Sequence, residues 1–136
     1  MAGRKIFVAI VLVAVMSFYC AIKCVTRGGA NYVVSHGGIV HWNNGAACVN
    51  WVNAGVTDSD LACLVEIRCL TILHIEENQR ISDLGLKEIA KNAKELSILN
   101  VEGTSVTQEG ILQFIDSFPS CDIWWQGRYW STAIIR

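Results

Sequence analysis

The strongest constraint on this chain is an apolar ladder that returns at nearly constant spacing. Leu70-Thr-Ile-Leu73-His-Ile75 is answered 26 residues later by Leu96-Ser-Ile-Leu99-Asn-Val101. Each ladder leads into a matching second half. Ile81-Ser-Asp-Leu-Gly-Leu86-Lys-Glu-Ile89 is answered after 25 residues by Val106-Thr-Gln-Glu-Gly-Ile111-Leu-Gln-Phe114. The same half stands 25 residues earlier as Val56-Thr-Asp-Ser-Asp-Leu61-Ala-Cys-Leu64, behind the weaker ladder Val49-Asn-Trp51. A unit this short cannot bury its apolar side alone, so copies must stack.

Inside each unit the ladder predicts a short strand of a parallel sheet, with Leu70, Leu73, Ile75, Leu96, Leu99 and Val101 pointing inward. The second half predicts a helix whose inward residues, such as Ile81, Leu86 and Ile89, fall three to five apart. Thr57, Ser82 and Thr107 stand where an N-cap hydroxyl accepts an orphan backbone N–H. Gly85 and Gly110 recur at one place in the later helices, where Asp60 stands in the first. Glycine costs about 1 kcal/mol in a helix interior relative to alanine, so its recurrence implies close approach of the neighbouring unit. A period of about 20–29 residues with L-x-x-L-x-L is the leucine-rich repeat pattern. The expected fold class is α/β, a leucine-rich repeat solenoid of about three repeats with a cap at each end.

With Ser35-His-Gly-Gly-Ile-Val40 ahead of the repeats and Phe118-Pro-Ser-Cys-Asp-Ile123 behind them, the chain resembles the short bacterial leucine-rich repeat proteins of the planctomycete type. The resemblance covers about residues 29–125 and implies an interaction module without assigned chemistry. Two departures stand out: Asp60 replaces the usual glycine, and Glu77-Asn-Gln-Arg80 makes the second turn one residue longer.

The chain is 52% hydrophobic with a net charge of −1, and the apolar surplus is concentrated at the start. Behind Arg4 and Lys5, residues 6–22 carry no charge. They would span roughly 25 Å as a helix, the short end of what crosses a bilayer. Small-residue cleavage sites are poor there, so the segment predicts a retained transmembrane helix, with a cleaved signal as the alternative. The small excess of basic charge before the run predicts repeats on the extracytoplasmic side of a single-pass membrane protein. Residues 1–23 form that anchor or signal segment, and 24–45 a linker and amino-terminal cap containing His36 and His41. The repeats occupy 46–125, as 46–69, 70–95, 96–120 and a closing strand 121–125; an apolar tail, 126–136, covers the end.

No basic face points to nucleic acid. The six cysteines contain no C-x-x-C pair, and neither a Ser/His/Asp arrangement nor an H-E-x-x-H motif appears. The expectation is a non-catalytic protein with neither metal nor cofactor; Cys63, Cys69 and Cys121 are expected as packing thiols, with a Cys63–Cys69 disulfide in an oxidising compartment as the alternative. Ladder alternation instead identifies a binding face. Residues between the inward positions point to the open, concave side: Asn50 and Val52, then Ile72, His74 and Glu76, then Ile98, Asn100 and Glu102. Stacking brings equivalent places about 5 Å apart. The result is an apolar column Ile72/Ile98 beside Asn50/His74/Asn100 and Glu76/Glu102. The expected function is a membrane-tethered module that holds a protein or peptide there; the alternative is an accessory subunit of a larger membrane complex.

Overall fold

The repeated ladders become neighbouring parallel strands. A computed structural model describes residues 27–131. In order these form helix α1 (Arg27–Ser35), strands β1 (Ile39–Asn43) and β2 (Ala46–Asn50), a 3-10 helix η1 (Asp58–Glu66) and β3 (Leu70–His74). Helix α2 (Asp83–Asn92), β4 (Ile98–Asn100), helix α3 (Gln108–Ser117), β5 (Asp122–Trp125) and β6 (Arg128–Trp130) follow. The strands make one six-stranded sheet in chain order. Strands β2 to β5 are parallel, and Leu73 lies opposite Leu99, which lies opposite Ile123. The longer turn at Glu77–Arg80 leaves this register intact, because His74 still meets Asn100.

The sheet is mixed, which corrects the expectation of an open parallel solenoid. Strand β1 runs antiparallel to β2, and β6 antiparallel to β5. The cause is local: Asn44 and Gly45 have φ of 48° and 84°, and Gln126 and Gly127 have 50° and 68°. Two consecutive positive φ values reverse a chain with the twist that flanking strands prefer. Each end of the parallel ladder is therefore covered by a hairpin arm.

The transmembrane expectation is also corrected. Among the described residues no helix is long and apolar enough to cross a membrane. The longest, α2 and α3, have 10 residues each, roughly 15 Å of rise against a hydrocarbon core of about 30 Å. Residues 6–22 lie outside the described residues. The single-pass, extracytoplasmic placement derived from them is withdrawn.

The helices cover one face of the sheet. Ala47, Val49, Leu73, Leu99 and Ile123 from the strands are buried against Leu61, Leu64, Leu86, Ile89, Ile111 and Phe114 from the helices. The first unit forms a 3-10 helix, and its buried Leu61 and Leu64 are three apart, the spacing that three residues per turn places on one side. Helix α1 packs on η1 so closely that a Cβ at Gly29 would meet the Cys63 carbonyl oxygen at 2.5 Å. Buried Trp51 ties this cap to the first turn, its indole N–H donating to the His36 carbonyl at 2.9 Å.

Successive units are fastened by a repeated clamp. The Asp58 carboxylate accepts from the backbone N–H of Ser82 at 2.8 Å and from its hydroxyl at 2.6 Å. The Asp83 carboxylate accepts from the same two groups of Thr107 at 2.8 and 2.7 Å. This explains the recurrent glycine. A Cβ at Gly85 would collide with Asp58, and one at Gly110 with Asp83. Before η1 stands helix α1 in place of a repeat with its carboxylate clamp, and Asp60 there has another task. It accepts from the N–H and hydroxyl of its own N-cap, Thr57, and from the Tyr32 hydroxyl of α1. Burial pushes the Asp60 carboxyl up, but these bonds from Tyr32 and Thr57 more than offset it and hold it below its ordinary value.

Asn78 secures the first turn to the second. Its carbonyl oxygen accepts from the N–H groups of Ala54 and Val56, and its amide donates to the carbonyls of Trp51, Ile75 and Glu76.

Gly110→Ala is expected to destabilise the domain although alanine is the better helix former by about 1 kcal/mol. In an Asp83→Ala background the same change should become neutral or stabilising, because the colliding carboxylate is gone. Urea unfolding of the four variants of this double-mutant cycle measures the coupling; additive effects would show that the clamp does not set the glycine.

Candidate functional site

The sheet face opposite the helices carries the candidate site. Backbone register assembles it in rows. One row runs His41, Cys48, Ile72, Ile98 and Asp122 across five strands. The next crosses all six strands as Ile39, Asn50, His74, Asn100, Trp124 and Tyr129. At about 4.8 Å between strands, that row is roughly 24 Å wide. Beyond it lie Glu76 and Glu102, held alongside by the bond from Glu77 N–H to the Glu102 carbonyl at 2.8 Å. Of the residues expected on this face, Ile72, His74, Glu76, Ile98, Asn100 and Glu102 stand in these rows and are neither buried nor fully exposed, and Asn50 stands among them exposed.

Its polar groups are partly tied together. The Asn100 amide donates to Glu76 Oε1 at 2.7 Å, while Asn100 Oδ1 accepts from the Glu102 N–H at 3.1 Å. His74 Nδ1 lies 3.4 Å from the same Glu76 oxygen and makes an ion pair with it when the imidazole is protonated. Glu76 Oε2 is shielded from solvent and has no hydrogen-bond donor among the described residues. Glu102 accepts from the backbone N–H of Gly127 in the last turn, which joins the acidic row to the closing hairpin.

The largest side chains on the face, Trp124 and Tyr129, were not among the residues expected there. Their rings lie 4.6 Å apart and are 37% and 45% exposed. They are expected only within the closing strand 121–125 and the tail 126–136 that covers the end of the stack. Trp125 does fill that role: it is buried, and its indole N–H donates to the Val106 carbonyl at 3.0 Å. The signal that separates them is the same alternation that finds Asn100. With Ile123 and Trp125 inward, Trp124 must point outward, and the Gln126–Gly127 turn returns Tyr129 opposite it. Ile39, 54% exposed, ends the row on the other side.

The opposite, helical side differs in charge and shape. A groove of about 650 Å³ lies beside Lys91, Lys94, Leu96, Phe118 and Pro119. Smaller than this is a cleft of about 160 Å³ between α2 and α3, lined by Leu86, Lys87, Gly110 and Phe114.

Cys48, Cys63 and Cys121 are free thiols, whereas Cys69 is disulfide-bonded. The Cys63–Cys69 pairing considered from sequence is therefore not formed. Among the described residues no group of three or more His, Cys, Asp or Glu side chains could hold a metal ion. Burial, with Asp60 and Glu66 nearby, pushes the Cys63 thiol up to about 12; burial and neighbouring Asp122 do the same to Cys121. Neither is a ready nucleophile, since the thiolate is the reactive form.

No protein-family model matches the chain, and no curated protein matches it significantly.

The raised thiols predict alkaline sensitivity. Unfolded thiols ionise from their ordinary value of 9.0, whereas folded Cys63 and Cys121 hold their protons to about 12. Their contribution to stability is complete below pH 9 and is lost as pH rises toward 12. Urea midpoints at pH 7, 9 and 10.5 should fall over the last interval, and less steeply for Cys63→Ala/Cys121→Ala. Equal slopes would show that these thiols are not protected.

Proposed function

We propose that this chain is a non-catalytic interaction module of the leucine-rich repeat type, holding an extended stretch of a partner protein on the open face of its sheet. The observation that carries the reading is the in-register row from Ile39 to Tyr129, continued beneath by the half-buried Ile72 and Ile98. Apolar side chains at the centre of such a patch supply most binding energy, and surrounding polar groups supply orientation. Ile72 and Ile98 are the proposed anchors. His74, Asn100, Glu76 and Glu102 set selectivity, and Trp124 with Tyr129 closes one end.

The small width of the face, roughly 24 Å, fits a modest contact strengthened by multivalency. Both edge strands are themselves short, five residues in β1 and three in β6. They offer little backbone for strand addition, and recognition by side chains on the face is the better fit.

Replacing Ile72 and Ile98 with serine is expected to leave the domain folded and to reduce partner recovery at least tenfold. Crosslinking pull-down with the full chain, quantified against wild type, gives the readout, and thermal melting checks folding. A folded double variant that recovers every partner at wild-type levels would eliminate this reading.

A further inference from the structure

Charge on the open face is one-sided. Its rows include Glu76, Glu102 and Asp122, yet none of the residues that compose them is lysine or arginine. The nearest strand cation in sequence, Arg128, sits opposite inward-facing Trp125 and so belongs to the other parity. On the helical side Lys87, Lys91 and Lys94 line the grooves. Among the described residues, therefore, the rows of the open face carry a net negative charge, and low-dielectric surroundings strengthen its field.

Two further features sharpen what would compensate it. One oxygen of the Glu76 carboxylate, Oε2, is shielded from solvent without a donor among the described residues, while Oε1 accepts from the Asn100 amide and faces His74, which contributes charge only when protonated. A partly desolvated carboxylate is stabilised by a nearby positive charge. Beside the acidic row stand the exposed rings of Trp124 and Tyr129. Aromatic faces attract cations as well as apolar groups, whereas they offer nothing to a carboxylate.

We propose that the occupant of the open face is a basic stretch of an extended polypeptide, with a lysine or arginine side chain received between the Glu76/Glu102 carboxylates and the Trp124/Tyr129 pair. Alternate apolar side chains of that stretch lie on Ile72 and Ile98. The inference rests on the proposed interaction function and names the chemistry of its partner. Charge complementarity selects this occupant over an acidic or a neutral one.

The test titrates a fluorescein-labelled peptide of alternating valine and lysine with the full chain, at low and high salt. Counterparts carry glutamine or glutamate in place of lysine. The lysine peptide should bind at least tenfold tighter than either and weaken with salt. Glu102→Gln and Trp124→Ala should each weaken it about fivefold, at unchanged melting temperature, the size expected for one charge or one cation–π contact. Lys87→Gln, on the helical side, should leave binding unchanged. If the glutamine or glutamate peptide binds as tightly, and Ile72→Ser/Ile98→Ser abolishes that binding, the basic-partner inference falls while the interaction reading stands. Lysine-peptide binding insensitive to both Glu102→Gln and Trp124→Ala, or no binding by any peptide, overturns the inference; the interaction reading is then decided by the pull-down alone.

Discussion

The fold depends on the side chain of Asn78. It is almost fully buried, and its amide reaches backbone groups of both the first and the second turn. Parallel strands need such a fastening. The ladder runs on past the strand ends, as in Glu77 N–H to the Glu102 carbonyl, but the turn N–H groups of Ala54 and Val56 are met by a side chain instead, and a buried orphan costs about as much as a lost hydrogen bond. Asn78 meets the N–H groups of Ala54 and Val56 with its one oxygen and the facing carbonyls with its one nitrogen. With the turns fixed in this way, the strands before them keep the register that lines the open face in rows. Thr104, at the equivalent place in the next turn, reaches only the Val101 carbonyl.

On the helical side, Asp58 and Asp83 perform the corresponding task. Each carries charge to the first turn of its own helix while accepting from the N-cap residue of the next unit. One carboxylate thus serves two helix termini, with the favourable dipole interaction at its own. At the start of the series Tyr32 and Asp60 substitute a phenol–carboxylate bond for the clamp, and helix α1 joins the stack in place of an earlier unit.

Much of this was legible in the residues. The ladder identified the buried Leu73 and Leu99, and its alternation identified the rows containing Ile72, His74 and Asn100, because period two and a stacking repeat leave little choice. The repeated glycine also pointed to a close neighbour, although nothing in its spacing named the carboxylate responsible. The strand directions at the ends were hidden. The β1–β2 hairpin turns at Asn44 and Gly45, outside the repeats, and the repeat rule speaks only for parallel pairing. At the other end Gln126–Gly127 lacks the usual Asn-Gly signature, and Trp124 and Trp125 are alike in hydropathy. Their opposite fates follow from one bond of backbone alternation. Residues 6–22 lie outside the described fold.

The clamp also governs how such a chain can lengthen. Asp83 both follows a cap that is grasped from behind and grasps the next cap, so the segment from Ser82 to Val106 is a self-compatible cassette. A duplicated copy would present Asp to the unit after it and glycine to the unit before it. The final helix has Gln108 where the aspartate would stand, followed by the reversing turn at Gln126–Gly127. Copy number is thus written chemically into the last unit: gene duplication inside the array can extend it without new contacts, whereas duplication of its end cannot.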